Sequence, residues 1–204
     1  MKGIAAVGAE VARGDQKVNS DLQTKLIEAI SHKQENYWIG KPCGSCFPAW
    51  RLIFNNYVDE YYKYLTHAVL FCNNGHWGDF VDIYVDAVKD RTVCWVGGDD
   101  QDLERPKQFL NKDFHVDKNY TVPTKDAWSA YDKVKDIYKD LEPDSVVCLS
   151  CGPMSRVLAY EWFKQRPDCT ILDLGSTFDP FTRDVWWRCH AGTLPYCPEC
   201  NYEK

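Results

Sequence analysis

Short apolar runs alternate with longer amphipathic segments along the chain. The runs are rich in β-branched residues and predict buried strands at Gly3–Val7, Tyr37–Ile39, Ala68–Phe71, Thr92–Val96, Ser145–Leu149 and Thr170–Leu174. The amphipathic segments predict helices at Ser20–His32, Ala49–Tyr64, His76–Lys89, Lys125–Leu141 and Met154–Gln165. Strands that alternate with helices need crossover connections. The pattern therefore predicts an α/β fold of the Rossmann-like kind, a three-layer αβα arrangement with a mostly parallel sheet.

Two local details complete this prediction. Ser20 or Asp21 could cap the amino end of the first helix with a side-chain oxygen. The segment Gly97–Tyr120 is polar and charged and begins with two glycines and two aspartates, so it predicts a long loop with a short helix. Long loops at strand ends often cover binding sites.

Length and composition are those of one globular domain. The chain has 204 residues, of which 45% are hydrophobic and 14% aromatic, and this composition excludes a disordered protein. We expect a single domain over residues 1–204, with a cysteine-rich tail, Arg188–Lys204, held against its body.

Charge and hydropathy narrow the function classes. A formal net charge of −6 argues against a general electrostatic grip on nucleic acid, because binding phosphates needs a basic face. No apolar run approaches the ~20 residues that span a bilayer, and Met1–Gly8 lacks the apolar core of a secretory signal. A cytoplasmic protein without a membrane span is expected.

A candidate phosphate site lies where a predicted strand turns into a helix, within Cys148–Gln165. Ser150, Gly152 and Ser155 keep the side chains of this turn small, so backbone amides at the helix start can approach an anion. Pro153 suits the first helical turn, where its missing N–H costs nothing. An ordinary tight turn is the alternative, because the motif is not a full glycine fingerprint.

Polar residues at other strand ends extend this candidate site. The strand after the turn ends in Asp173, Gly175 and Ser176, and an acidic residue there can accept hydrogen bonds from a ribose. Polar residues also follow two further predicted strands, and in a parallel sheet these would reach the same edge: Asn73, Asn74 and His76 after one, and Glu10 after the other. For His76 a place beside a helix cap, and for Glu10 a solvated loop, are the alternatives.

Ten cysteines include three pairs with CxxC spacing. Cys43/Cys46 and Cys197/Cys200 could together bind one structural Zn²⁺ and hold the tail to the body. A local set in the tail is the competing assignment, made of Cys189, His190, Cys197 and Cys200. Disulfides and free thiols remain open as well, whereas Cys148/Cys151 lies on the buried strand and is expected to pack in the core.

Taken together, these segments resemble the GT-D type of glycosyltransferase, a Rossmann-like family of nucleotide-sugar-dependent enzymes, and especially its small members in viruses and phages. Gly8-Ala9-Glu10 stands where the family has an Asp-x-Glu motif for metal and donor phosphate. Leu22–Ile30 leading into Tyr37–Cys43 is similar to the family's next helix and strand. Leu149–Pro153 and Ile171–Ser176 are similar to its late nucleotide-binding strands.

The resemblance implies transfer of a sugar from a nucleoside diphosphate to a hydroxyl group. The helix start, with Arg156 and a Mn²⁺ or Mg²⁺ ion on Glu10, would stabilise the leaving diphosphate. Because Gly8 replaces the family's Asp, Glu10 alone would bind this metal. Asp179, His76 and Glu10 are the candidates for the general base. The acceptor could be a glycan, a protein or a modified nucleic acid.

Two other functions stay open. A methyltransferase could use the same scaffold, although Ala6–Glu10 is a poor version of its usual glycine-rich turn. A non-catalytic protein that sequesters a nucleotide is the second alternative, and the missing Asp at position 8 favours it slightly.

Overall fold

The computed structural model describes residues 19–42, 48–59, 61–67, 82–109, 113–175 and 177–183. The strands in these ranges are β1 (Ile39–Lys41), β2 (Leu65–His67), β3 (Val93–Gly98), β4 (Lys118–Val122), β5 (Val146–Ser150) and β6 (Thr170–Asp173). The helices are α1 (Ser20–Ser31), α2 (Pro48–Asn55), α3 (82–88), α4 (Pro106–Phe109), α5 (Tyr131–Val134), α6 (Pro153–Gln165) and α7 (Asp179–Thr182). Short 3₁₀ helices flank α5, at Ala127–Ala130 and Ile137–Asp140.

The main sheet has the strand order β4-β3-β5-β6, and each neighbouring pair is parallel. The carboxyl ends of these strands therefore meet along one side of the sheet, which we call the carboxyl edge. After β4 the chain crosses back over β3 to place β5, so the strand order reverses between β3 and β5. Open α/β sheets bind ligands at such reversal points. Strands β1 and β2 form a separate, two-stranded parallel sheet.

Helices cover both faces of the main sheet. On one face, Leu158 and Trp162 of α6 pack against Val96 and Leu149. On the other face, α3 and the segment around α7 pack against Trp95 and its neighbours on β5. Because both faces are covered, every residue of β3 and β5 is buried. The fold is the α/β, Rossmann-like, mostly parallel arrangement that the sequence predicts.

Helix α1 is attached to α6, and its N-cap lies one residue before the nearer of the two predicted caps. Lys25 of α1 forms a 2.7 Å ion pair with Glu161 of α6. Asn19 is the N-cap, because its Oδ1 accepts a 2.9 Å hydrogen bond from the amide of Leu22. The prediction of Ser20 or Asp21 as the cap was wrong, since both residues are already helical.

Most of the predicted elements that fall within the described residues are present. The strands at Thr92–Val96, Ser145–Leu149 and Thr170–Leu174 and the helices at Ser20–His32 and Met154–Gln165 lie within two residues of their predicted bounds. The predicted strand Tyr37–Ile39 is shifted to Ile39–Lys41. The predicted strands Gly3–Val7 and Ala68–Phe71 lie outside the described residues, as does the first part of His76–Lys89.

Three further predictions of local structure were wrong. Gly97–Tyr120 is not a loop throughout, because β3 continues through Gly98 and β4 begins at Lys118, although the expected short helix is present as α4. Lys125–Leu141 is not one helix but a single α-helical turn between two 3₁₀ turns. The helix predicted at Ala49–Tyr64 ends at Asn55, where the chain turns towards β2.

No helix in the described part of the chain is long and apolar enough to cross a bilayer.

Candidate active site at the carboxyl edge

The turn from β5 into α6 presents open backbone donors. Gly152 adopts φ 62° and ψ −142°, a conformation that a side chain would strain, and Pro153 follows as the first helical residue. The amide of Cys151 donates a 2.9 Å hydrogen bond to Oγ of Ser155. Among the described residues, the amides of Gly152 and Met154 have no acceptor. Two N–H groups therefore remain available to an anion at the start of a 13-residue helix.

An ion pair joins α6 to the end of β6 beside this turn. Nε of Arg156 lies 3.6 Å from Oδ2 of Asp173, and Oδ1 of Asp173 accepts a 3.2 Å hydrogen bond from the amide of Gly175. The Asp173 side chain is 26% exposed, and burial raises its pKa while Arg156 opposes the shift. Asp173 can accept hydrogen bonds from a ribose, and Arg156, 45% exposed, can reach a phosphate.

The side chain of Gln101 fills the crevice between β3 and β5. Its Oε1 accepts hydrogen bonds from Nε1 of Trp95 and from the amide of Gly98, each at 3.1 Å. Its Nε2 donates to Oγ of Ser150 at 2.9 Å and to Oδ1 of Asp179 at 3.4 Å. Gln101 thus connects the ends of both strands to α7 at the point where the strand order reverses.

Two glycines at the end of β3 make room for these side chains. A Cβ atom at Gly97 would lie 2.0 Å from Oε1 of Gln101 and 2.3 Å from Nε1 of Trp95. On the opposite face, a Cβ atom at Gly98 would lie 2.5 Å from Oγ1 of Thr124. Any larger residue at either position would displace the polar groups at this edge.

Two carboxylates hold the guanidinium of Arg183 at this edge. Nε donates a 3.0 Å hydrogen bond to Oδ1 of Asp179, and Nη1 contacts Oδ2 of Asp100. Asp100 also accepts a hydrogen bond from the hydroxyl of Thr124. Both Arg183 and Asp179 are largely buried, with side chains 12% and 9% exposed. Their pairing is what makes the burial of these charges tolerable.

Asp99 is a second acid on this edge. Its Oδ1 accepts a 2.9 Å hydrogen bond from the amide of Thr124, and this bond, with one from the Thr124 hydroxyl, lowers the pKa of Asp99. The charge of Arg183 also contributes to lowering the pKa of Asp99, so this acid is an ionised carboxylate near that arginine.

The structure brings several of the predicted site residues together. Ser150, Gly152, Pro153, Arg156, Asp173, Gly175 and Asp179 all lie along the carboxyl edge. Oγ of Ser150 donates to the carbonyl of Gly175 at 2.7 Å, whereas Ser155 is fully buried and turned towards Cys151. Ten predicted residues lie outside the described residues: Gly8, Glu10, Asn73, Asn74, His76, Ser176, Cys43, Cys46, Cys197 and Cys200.

The sequence analysis missed Gln101, Thr124 and Arg183. The signal for the first was present, since Gly97-Gly98-Asp99-Asp100 immediately precedes Gln101 and marks the end of a buried strand. Thr124 and Arg183 belong to no motif, and only the folded chain brings them to Gly98.

The pair Cys148/Cys151 packs in the core, as predicted. The two thiols are buried in the clusters on opposite faces of the sheet, and Sγ of Cys148 lies 3.2 Å from the hydroxyl of Tyr84. Burial raises the pKa of each thiol to about 12, so neither is a thiolate at neutral pH.

Metal binding is not supported by the described part of the chain, which contains no group of three or more His, Cys, Asp or Glu side chains placed to bind an ion. The predicted ligands, Glu10 and the two terminal CxxC pairs, lie outside it, so zinc and a divalent ion at Glu10 stay predictions.

Comparison with known proteins supports the same fold. A model of the glycosyltransferase GT-D fold family matches residues 28–192. Two solved structures are similar to the chain. The first is a selenomethionine-substituted structure of domain of unknown function 1792, with a TM-score of 0.66 at 14% sequence identity. The match covers 94% of this chain and 83% of the chain in that structure. The second structure has a TM-score of 0.65 at 15% sequence identity, and the match covers 88% of this chain and 76% of the chain in that structure. It is described as showing that this highly conserved domain has a distinct glycosyltransferase fold. No curated protein matches the sequence.

Proposed function

The chain belongs to the GT-D glycosyltransferase-fold family, and on this premise we propose that it transfers a sugar from a nucleoside diphosphate sugar to a hydroxyl group of an acceptor. The observation that carries the proposal is the opening of α6. There the amides of Gly152 and Met154, which donate to no residue in the described ranges, lie within about one helical turn of Arg156, which is paired with Asp173. Helix starts with unpaired amides attract phosphate groups, and an acid on the next strand suits a ribose.

In the proposed reaction the bond between the anomeric carbon and the diphosphate oxygen breaks, and the acceptor oxygen bonds to that carbon. Positive charge develops on the sugar ring and negative charge on the departing diphosphate. The amides at the start of α6 and the guanidinium of Arg156 stabilise the second of these charges. Asp173 holds the nucleoside, so the leaving group stays oriented.

The acceptor hydroxyl must lose its proton to a base. Asp179 suits this role, because Oδ1 is fixed by Arg183 and Gln101 while Oδ2 accepts no hydrogen bond from a described residue. His76 and Glu10 remain the other candidates. A Mn²⁺ or Mg²⁺ ion on Glu10, the family's metal position, is a separate prediction, and no step above depends on it.

Donor binding and donor hydrolysis test the proposal. Purified protein is mixed with UDP-glucose, UDP-galactose and a panel of other sugar nucleotides, with and without Mn²⁺, and release of the nucleoside diphosphate is measured. We expect slow release from at least one donor even without acceptor. If no sugar nucleotide binds or raises Tm, the proposal is wrong. Binding without hydrolysis would instead favour a sequestering protein, and a rise in Tm with S-adenosylmethionine alone would favour a methyltransferase.

A matched pair of variants locates the donor. Arg156→Gln removes the charge beside the open amides, whereas Lys164→Gln removes a charge from the far, exposed end of the same helix. Loss of a charge-assisted contact typically costs about 1.5–3 kcal/mol, or roughly a tenfold or larger loss in affinity. We expect this loss of UDP affinity in Arg156→Gln alone. Equal affinities of the two variants for UDP would show that the donor does not bind at the start of α6.

A further inference from the structure

One donor group of Arg183 makes no hydrogen bond to any residue that the structure describes. Nε donates to Asp179 and Nη1 to Asp100, but Nη2 donates no hydrogen bond to a residue in the described ranges. This nitrogen lies 3.4 Å from the place where Gly98 would carry a Cβ atom. Since a buried donor without an acceptor is costly, the free side of this guanidinium suits an anionic ligand.

The guanidinium reaches the face of the sheet on which α6 begins. Val96 belongs to the core cluster beneath α6, and side chains alternate along a strand, so the open side of Gly98 faces the same way. Gly98 ends β3, and β5, which leads into Gly152, is the adjacent strand. Adjacent strands are about 4.8 Å apart. An anion at the start of α6 therefore needs to extend over roughly one strand spacing to meet Arg183.

The two carboxylates that hold Arg183 differ in how firmly they are fixed. Asp179 is 9% exposed and anchors Nε, so it sets the direction of the side chain. Asp100 is 44% exposed and can turn to solvent. Its carboxylate now occupies Nη1, one of the two terminal nitrogens that a phosphate would use in a bidentate contact.

We propose that Arg183 binds the diphosphate of the donor across the gap between β3 and β5, with Asp100 as the internal anion that the diphosphate displaces. The inference rests on the proposed function and deepens it, because it assigns the diphosphate two anchors, the start of α6 and an arginine from the segment after β6. Asp179 is then a positioning residue for Arg183 as well as a candidate base.

The test compares the affinities of each variant for UDP and for uridine. The ratio of the two affinities isolates contacts to the diphosphate, and a general loss of folding does not change it. We expect Arg183→Gln to lower the ratio about tenfold or more, since one charge-assisted contact is lost. Arg183→Lys should lower it less, because the charge remains but the fork of donors is lost. GDP with guanosine and ADP with adenosine serve in the same way if UDP is not the preferred diphosphate.

Two further variants control the result. Arg91→Gln removes a partly buried arginine that pairs with Asp144 at the opposite edge of the sheet, and it should leave the ratio unchanged even if Tm falls. Asp100→Asn removes the competing carboxylate and should raise the ratio several-fold, a gain that a purely structural Arg183 does not predict. This variant keeps Arg183 and decides the question even if Arg183→Gln does not fold.

The outcomes separate this inference from the proposed function. If the wild-type protein binds UDP but neither Arg183→Gln nor Asp100→Asn changes the ratio, Arg183 does not bind the diphosphate and the transferase proposal stands. If the wild-type protein binds no nucleoside diphosphate, the proposed function itself is wrong.

Discussion

Arg156 reaches from the first turn of α6 to Asp173 at the end of β6, with Nε 3.6 Å from Oδ2. Ion pairs this exposed contribute little stability on their own. Arg156 also fails to compensate fully for the burial of Asp173, because burial is the largest influence on this carboxyl group and raises its pKa. The pair therefore holds a carboxylate that is costly to ionise at the place where we propose that a nucleoside binds.

The first prediction concerns pH and Asp173. A pKa raised above the ordinary 3.8 means that the folded state binds more protons than the unfolded state in the interval above 3.8, so Asp173 costs stability as pH rises through that interval. The free energy of unfolding of Asp173→Asn should therefore increase relative to that of the wild-type protein as pH rises from about 4 to about 7, measured by urea unfolding.

Asp168 supplies the control for this measurement. Its ion pair with Arg166 lowers the pKa of Asp168, so its contribution is present above the ordinary pKa and is lost as pH falls. Asp168→Asn should accordingly show a stability loss that grows as pH rises towards about 4 and stays constant above it, so it should not share the trend of Asp173→Asn. A flat difference for Asp173→Asn over the same range would contradict the prediction.

The second prediction concerns the two kinds of glycine at the carboxyl edge. Gly97→Ala places a methyl group against Gln101 and Trp95 and should lower the free energy of unfolding by about 1–3 kcal/mol. Gly175 has φ +51° and nothing within 4 Å, so Gly175→Ala should lose only about 1 kcal/mol, through backbone strain.

Companion variants separate the two causes. Gly175→Asn should recover most of the loss, because Asn tolerates this left-handed conformation. Gln101→Ala in the Gly97→Ala background should recover part of that loss by removing the crowded side chain. Chemical denaturation of these four variants checks both causes, and a neutral Gly97→Ala would show that Gln101 does not occupy the crevice.

The third prediction concerns thiol reactivity. Cys148 and Cys151 are 0% and 3% exposed, and burial raises the pKa of each to about 12. Alkylation of the native protein at about pH 8 should leave both unmodified, as mapped by mass spectrometry, while the same treatment in denaturant should modify both. Rapid labelling of the native protein, or a disulfide between the two, would be inconsistent with core packing.

The fourth prediction is the zinc site proposed for Cys43, Cys46, Cys197 and Cys200. Protein purified without chelator should carry close to one equivalent of zinc, measured by elemental analysis. Cys197→Ser should lose the metal and make the tail after Arg188 more sensitive to protease. Cys169→Ser is the matched control and should keep the zinc. Less than about a tenth of an equivalent of zinc in the wild-type protein would contradict the proposed site.

The β5–α6–β6 unit could be predicted from the sequence because its signals are local. Strand β5 is buried and apolar from Val146 to Leu149, and the glycine-proline turn marks where α6 begins. Strand β4 was missed because it is the outermost strand of the main sheet among the described residues, and only Val122 of its five residues is buried. An edge strand of this kind has too few apolar positions to differ from a polar loop.

The segment before β5 misled the prediction for a different reason. Its buried residues follow steps of three and four, at Ala127, Ala130, Val134, Ile137 and Leu141. A continuous helix and a chain of short α and 3₁₀ turns both satisfy such spacing, because 3.6 and 3.0 residues per turn differ little over so few turns. Arg183 illustrates a further limit, since its role depends on Asp100, more than eighty residues away in the sequence.

Gly97 and Gly98 leave the tip of β3 without side chains. Apart from Trp95 of β3 itself, the nearest side chains around this tip come from the loop after β3, the segment after β4, and the segment after α7. For the proposed transferase, substrate choice at this edge is thus separable from the integrity of the sheet. Substitutions in those three connecting segments could redirect the protein to another donor or acceptor while the strands keep their packing, so related chains with different specificities should differ there first.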